Sequence, residues 1–326
     1  MNAAQRKTYW KDYEALRAAL EKRFVLVINK CLTNQVSSFT TRLLKRGMFV
    51  SRDLDYVSGK EMTLTLIALH VYSAIKNGKR VHKILKQQIK GKGLGVNVKW
   101  TKDVLKYMNE QDLRLVKNIT NTTRQRLKQQ MEQGIQEGKG IEEIAKGMQD
   151  DAINKFRALR IARTETMRAT NFGNFLAAGE LDIVTEKKWV ATHDAKTRES
   201  HIELDGEVKG MDEDFKPGLS FPGDPNAEPE ETINCRCTIA FVPVRDSSGA
   251  LISPSHNEPL PTDVARVIEE LPTQSIDELI DDILRRVVEP LITSGEHIID
   301  KQVEVFIVGI FAGLGMEEEI KKVFKN

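Results

Sequence analysis

The sequence has few cysteines and no apolar run long enough to cross a membrane. Three cysteines among 326 residues cannot form a disulfide framework, so a reducing compartment is expected. The longest apolar run, 305–314, is too short to span a bilayer as one helix. Met1 is not followed by a charged and then an apolar region, so no signal peptide is predicted. With 40% hydrophobic and 29% charged residues, the composition is typical of a soluble protein of two or three domains.

Acidic residues are scarce in the first half of the chain and abundant in the second. Residues 1–150 contain 29 Lys and Arg against 14 Asp and Glu, whereas residues 151–326 contain 20 against 33. The net charge of +2 therefore hides a half at +15 and a half at −13. This asymmetry indicates that the first half faces a polyanion and that the second half faces something else.

The stretch 76–102 has no acidic residue at all. It carries nine Lys and Arg, most of them three or four positions apart, so they can share one face of a helix. Such a face can neutralise the phosphates of double-stranded DNA, although a solvated basic surface would give the same pattern. The candidate DNA-binding residues are Lys76, Lys79, Arg80, Lys83, Lys86 and Lys90.

Most of the chain outside 181–244 has the periodicity of amphipathic helices. Helices are predicted over 2–47 (as one or two), 60–90, 101–134, 141–148 and 151–179, with a possible interruption of the second at Asn77-Gly78. A Pro- and Ser-rich linker precedes an acidic tail with an apolar stripe over 276–292 and a second apolar helix over 298–311. The two tail helices have more apolar surface than a hairpin can hide, so the tail is expected to dock on another protein or on a second copy of itself. Insertion into a membrane is the less favoured alternative, because the apolar run is short and anionic lipid would repel the negative charge.

The stretch 158–244 contains short β-like runs, turns and two of the cysteines. In order, it carries Ala162-Arg163-Thr164-Glu165, then Trp189, Asp194, Thr197-Arg198, His201 and Gly206, and last Asn234-Cys235-Arg236-Cys237. This ordered set resembles the phage head morphogenesis family, the minor capsid proteins of the phage Mu F type. One departure is that Thr232-Ile233 stands where many relatives carry His-Pro.

The resemblance implies a minor head protein of a tailed phage that acts in procapsid assembly and genome delivery. Such proteins are associated with the portal and with packaged DNA, and they travel inside the virion after assembly in the host cytoplasm. Scaffold or major capsid protein are further candidate partners. The basic first half agrees with contact to DNA.

Two cysteines and two histidines in this stretch form a candidate metal site. His193, His201, Cys235 and Cys237 are a sufficient tetrahedral set for Zn²⁺, and on a β-strand Cys235 and Cys237 would point to the same face. The Cys-x-Cys spacing and the absent His-Pro oppose this interpretation. A small core held together by polar contacts is favoured, so no cofactor is expected. Zinc is the candidate if the site does bind a metal.

Charged residues of the same stretch are predicted to form a polar network. Its candidate members are Glu165, Asp194, Arg198, His201 and Arg236. In an enzyme, His201 would be a base oriented by Asp194, as in a metal-dependent hydrolase or nuclease delivered with the genome. No nucleophile motif is present, so a network that stabilises the fold is favoured and the chain is not expected to be an enzyme.

The sequence as a whole predicts an α+β protein that is mainly helical. Its predicted divisions are a basic helical domain over 1–150, an α+β domain of the phage Mu F type over 151–246, a linker over 247–262 and an acidic helical tail over 263–326.

Overall fold

The structure is a computed structural model, and it describes residues 1–89, 98–149, 151–179, 181, 183–192 and 194–252. The predicted acidic tail, with its apolar stripe, therefore lies outside the described residues, as do Lys90 and His193. No helix in the described ranges is both long and apolar enough to cross a bilayer.

Five helices make up most of the described chain. They are α1 (Ala3–Arg46), α2 (Lys60–Gln88), α3 (Val98–Gln136), α4 (Ile141–Met148) and α5 (Asp151–Gly179), with a short 3-10 helix over Ser51–Tyr56. The apolar periodicity predicted these helices closely, and α4 and α5 have the predicted bounds. Residues 3–46 form one helix rather than two. The suspected interruption at Asn77-Gly78 is wrong, because α2 continues through both residues.

A three-stranded antiparallel sheet follows α5. Its strands are β1 (Thr185–Val190), β2 (Val208–Gly210) and β3 (Thr238–Pro243), in the order β2-β1-β3. Trp189 pairs with Ile239 across β1 and β3. Two short helices, α6 (Glu199–Glu203) and α7 (Pro229–Thr232), lie in the connections between the strands. The predicted mainly helical α+β fold is confirmed for the described residues.

The chain divides into two compact units, each built from separate segments. One unit, called here the mixed unit, combines Met1–Lys22 with the described residues of 69–108 and 163–275, and it contains the sheet. The other, the helical unit, combines Arg23–Ala68 with the described residues of 109–162. Each unit takes segments from both sides of residue 150, whereas the sequence predicted consecutive domains. The predicted domain bounds stay a prediction.

The helical unit has an apolar core between α1, α3 and α4. Its central members are fully or nearly fully buried: Val36, Phe39, Leu43, Val57, Leu127, Met131, Ile144, Ala145 and Met148. All of them except Val57, which follows the 3-10 helix, lie on the helices α1, α3 and α4. The apolar faces of these helices are therefore buried inside this unit.

The mixed unit packs the start of α1 and the second half of α5 against the sheet. The Tyr13 hydroxyl lies 2.9 Å from Thr170 Oγ1. Tyr9 and Trp10 donate hydrogen bonds to the carbonyls of Ile239 and Arg236, at 3.1 and 3.2 Å. These bonds fix β3 and the segment just before it. That preceding segment carries both cysteines of the candidate site.

Candidate functional site

His201 is buried at the centre of the candidate site. It lies on α6, and only 1% of its surface is exposed. Its ring packs edge-on against Trp189, with 5.2 Å between the ring centroids. Nε2 lies 2.8 Å from Glu231 Oε2 on α7. The carboxylate fixes the orientation of the imidazole and leaves Nδ1 directed to the opposite side.

Cys235 and Cys237 face that free side of the imidazole. Both Sγ atoms lie 3.5 Å from His201 Nδ1, and both cysteines are buried. The prediction that they lie on a β-strand is wrong, because β3 begins only at Thr238. They still face the same side, because the side chain of Arg236 between them points away, to Asp194. His201, Cys235 and Cys237 are the described residues that could hold a metal ion together.

The two thiols differ in their acidity. A hydrogen bond from Cys235, together with the nearby His201, outweighs burial and holds the pKa of Cys237 well below its ordinary value. The same hydrogen bond and burial raise the pKa of Cys235. Of the two thiols, Cys237, which lies next to β3, is therefore the more acidic.

A turn at Asn234 aims both cysteines into the site. Its φ of 64° is in the left-handed region, where Asn is more frequent than most residues. Asn234 N donates to Thr164 Oγ1 at 2.9 Å, and Asn234 Oδ1 accepts from Arg163 at 3.0 Å. The Arg-Thr pair on α5 thus holds the turn that begins the Asn-Cys-Arg-Cys segment, which connects two motifs that lie 70 residues apart in the sequence.

Asn171 on α5 provides a second clamp behind the cysteines. Its Nδ2 donates to the Cys237 carbonyl at 3.0 Å, and its Oδ1 accepts from Thr238 Oγ1 at 2.8 Å. Asn171 is fully buried, so neither bond competes with solvent. The backbone of Cys237 is therefore fixed on one side by α5 and on the other by the start of β3.

Of the five residues of the predicted polar network, Asp194 and Arg236 bond each other, and the other three bond residues outside the predicted set. Glu165 is buried and pairs with His70 on α2, at 3.2 Å, and with Arg168, at 2.8 Å. Asp194 forms a bidentate ion pair with Arg236. Arg198 donates to the carbonyl of Ile233. His201 pairs with Glu231, and not with Asp194, which the enzyme alternative assigned to it.

Sequence reasoning missed Glu231, which holds His201 in place. Three glutamates lie together at 228, 230 and 231, and no spacing distinguishes the one that faces inward. The structure does so through α7, because Glu231 also bonds Ser200 Oγ at 3.1 Å and Lys216 Nζ at 2.8 Å. Of the candidate metal ligands, His201, Cys235 and Cys237 are brought together and His193 lies outside the described residues.

The candidate DNA-binding residues of the described part of α2 do not all serve one surface. Lys76 and Lys83 are exposed, and Lys79 and Lys86 are half-buried. The Arg80 guanidinium lies 4.6 Å from the centre of the Tyr9 ring and donates to the Tyr9 carbonyl at 3.4 Å. Arg80 is therefore a packing residue, and the lysines form the basic face.

The comparisons with known proteins agree with this arrangement of motifs. Residues 125–240 match the family model described as Phage Mu protein F like protein, a segment that includes α5, β1, β2, the start of β3 and the Cys/His cluster. This segment is similar to that family, and the predicted resemblance to phage minor head proteins is confirmed.

Three relatives are similar to parts of the chain. Minor head protein GP7 of Bacillus phage SPP1 is 30% identical over 149 residues, which are 42% of this chain and 44% of that protein. The uncharacterized protein YqbB of Bacillus subtilis is 34% identical over 143 residues, 41% of this chain and 46% of that protein. The NAD(+)--arginine ADP-ribosyltransferase EFV of Enterococcus faecalis is 37% identical over 148 residues, 44% of this chain and 28% of that protein.

The chain thus spans less than half the length of each of these relatives. No solved structure gives a significant match.

Proposed function

We propose that the chain is a minor head protein that acts in the head morphogenesis of a tailed phage. The observation that carries this proposal is the match of 125–240 to the phage Mu F-like family. The family motifs form one framework in the structure, since Arg163 and Thr164 hold Asn234 and thereby position Cys235 and Cys237. The likeness to a minor head protein of phage SPP1 supports the same role.

The finer part of the proposal is that the protein joins the procapsid through the portal and contacts packaged DNA inside the virion. The strongly basic first half supports contact with DNA, because phosphate binding depends on cationic side chains. The acidic tail, whose residues lie outside the described part, is the proposed docking segment for the portal. A protein that binds both the portal and the DNA is in a position to act in genome delivery, which is the last part of the proposal.

The lysines of α2 are proposed to bind duplex DNA without sequence preference, because phosphate contacts carry no base information. We expect Lys76→Glu, Lys83→Glu and Lys86→Glu together to weaken binding at least about tenfold. They should also lower the salt dependence, the slope of log K against log[salt], by about 2.7, or 0.9 per lost phosphate contact. Gel retardation over a salt series measures both effects.

The matched control for this experiment changes three exposed lysines of the helical unit. Lys117→Glu, Lys128→Glu and Lys146→Glu alter the net charge by the same amount at exposed positions. Equal loss of DNA affinity in the two variants would show that overall charge, and not the α2 face, governs binding. Unchanged retardation of the α2 variant would contradict the proposal directly.

The proposed portal contact is tested by removing the tail. A chain that ends at Ile252 retains all the helices and strands of the mixed and helical units. Its Tm should therefore equal that of the full chain, as followed by circular dichroism. We expect this truncation to be absent from procapsids assembled in infected cells, as measured by the copy number of the protein in purified particles. Packaging at the normal copy number would show that the tail is not the docking segment.

A catalytic role is the alternative, and the arrangement of side chains gives it little support. Asp194, which the enzyme hypothesis assigns to His201, is paired with Arg236 instead, and this arginine lowers the pKa of the Asp194 carboxyl. One relative is named as an ADP-ribosyltransferase, so enzymatic activity stays open, but the shared stretch covers only 28% of that protein. The structural role is the proposal that the described residues support.

A further inference from the structure

The buried cluster of His201, Cys235 and Cys237 has the donor atoms of a transition-metal site. One ligand atom from each residue lies within 4.8 Å of the other two. All three residues are at most 2% exposed, and both cysteines are free of disulfide bonds. Thiolate sulfur and imidazole nitrogen are the ligands that Zn²⁺ takes most often in structural sites.

The distances fit zinc. With Zn–S of about 2.3 Å and Zn–N of about 2.05 Å, a tetrahedral arrangement separates a sulfur from a nitrogen ligand by roughly 3.6 Å. Both Sγ atoms lie 3.5 Å from His201 Nδ1. Both sulfur-to-nitrogen distances therefore match those of a tetrahedral zinc site.

The surroundings of the cluster also fit. His201 directs its second nitrogen to Glu231, and a carboxylate in this position is the usual support of a metal-bound histidine. The Cys-x-Cys spacing, which opposes a zinc knuckle in the sequence, is overcome by the turn at Asn234. That turn and the Asn171 clamp set both cysteines toward one point.

We propose that this protein binds one structural zinc ion through His201 Nδ1, Cys235 Sγ and Cys237 Sγ, with Glu231 as the carboxylate that supports His201. On binding, both thiols lose their protons to solvent and coordinate as thiolates. With three protein ligands, a water molecule takes the fourth position, as in zinc sites that keep one position open. The ion cross-links α6 to the segment that precedes β3, and so stabilises the mixed unit.

The first experiment measures the metal content of the full-length protein. We expect about one zinc per chain after purification without chelator. Removal of the ion by a strong chelator should lower Tm by roughly 10 °C or more, because the binding free energy of a structural metal is part of the folding free energy. Thiol titration of the folded protein should show that Cys235 and Cys237 react only after the chelator is added. Cobalt in place of zinc should give the absorption of thiolate-to-cobalt charge transfer.

Two pairs of variants test whether zinc binds at this site. Cys235→Ser with Cys237→Ser should lose the zinc, whereas Cys31→Ser, at a buried free cysteine of the helical unit, should keep it. Glu231→Gln should weaken zinc binding by about 10- to 100-fold in competition with a chromophoric chelator, and Glu230→Gln, on the same short helix but exposed, should leave it unchanged.

Two results would overturn the proposal. One is zinc well below one equivalent after refolding in zinc, with a Tm that the chelator does not move. The other is an equal zinc content in the wild type and in the double cysteine variant, which would place the metal elsewhere. The cobalt spectrum and the thiol titration are made on the wild-type protein, so the proposal stays testable if the double variant does not fold.

Discussion

Replacing Gly173 by alanine should destabilise the mixed unit by at least about 3 kcal/mol, at the upper end of the usual cost of overpacking. A Cβ at Gly173 would lie 2.2 Å from the Ala74 carbonyl oxygen and 2.5 Å from Ala74 Cα. These are backbone atoms of α2, so no side chain can rotate away and the two helices must separate. Urea unfolding followed by tryptophan fluorescence measures the effect, because Trp10 and Trp189 lie in this unit.

The control for this substitution is Gly147→Ala. Gly147 lies within α4, and a Cβ there would meet nothing within 4 Å. Alanine should therefore stabilise the helix by about 0.5–1 kcal/mol, because it reduces the entropy of the unfolded chain. A Gly173→Ala protein as stable as the wild type would show that α2 and α5 do not approach as closely as described.

Glu165→Gln should cost about 3–5 kcal/mol of stability, the usual effect of breaking a buried ion pair by removing one partner. The substitution leaves Arg168 without its carboxylate and replaces a charge-assisted contact to His70 by a neutral one. The control is Glu132→Gln, which breaks an exposed pair with Lys128 and should cost less than about 1 kcal/mol. Thermal and urea unfolding at neutral pH compare the two.

The same carboxylate predicts a dependence of stability on pH. Burial alone would raise the pKa of Glu165, but Arg168 and His70 outweigh burial and hold that pKa below its ordinary value. Its contribution is therefore complete above the ordinary glutamate pKa of about 4.3 and is lost as the pH falls through the lower pKa of the folded state. The wild type should lose stability in this acid range more steeply than Glu165→Gln. Parallel curves would contradict the assignment.

The helices could be predicted from the sequence because their signal is local. Apolar residues at helical spacing gave the bounds of α4 and α5, and the spacing of Glu165 and Arg168 within one helix allows their ion pair to be expected. His70, the other partner of Glu165, is 95 residues away. Only the packing of α2 on α5 brings it near, and no pattern within either helix indicates that packing.

The residue types of the candidate site could be predicted from the sequence, but the contacts between its side chains could not. The residue types made a metal site one of two alternatives, and the sequence favoured the other, a core held by polar contacts. The geometry depends on the left-handed turn at Asn234 and on α7, which orients Glu231. Both features arise from contacts between separate segments. The sequence therefore suggested three of the residues and missed the carboxylate that supports them.

The contacts of the first helix also determine when the protein can fold during its synthesis. Tyr9 bonds the carbonyl of a residue 230 positions later, and Trp10 one that is 226 positions later. At about 5–20 residues per second, a ribosome needs roughly 10–50 s to supply those partners. Through that interval the start of α1 lacks the strand on which it packs, and contacts of such long range also slow folding itself. The mixed unit can therefore be completed only after the segment that contains Arg236 and Ile239 has been synthesised.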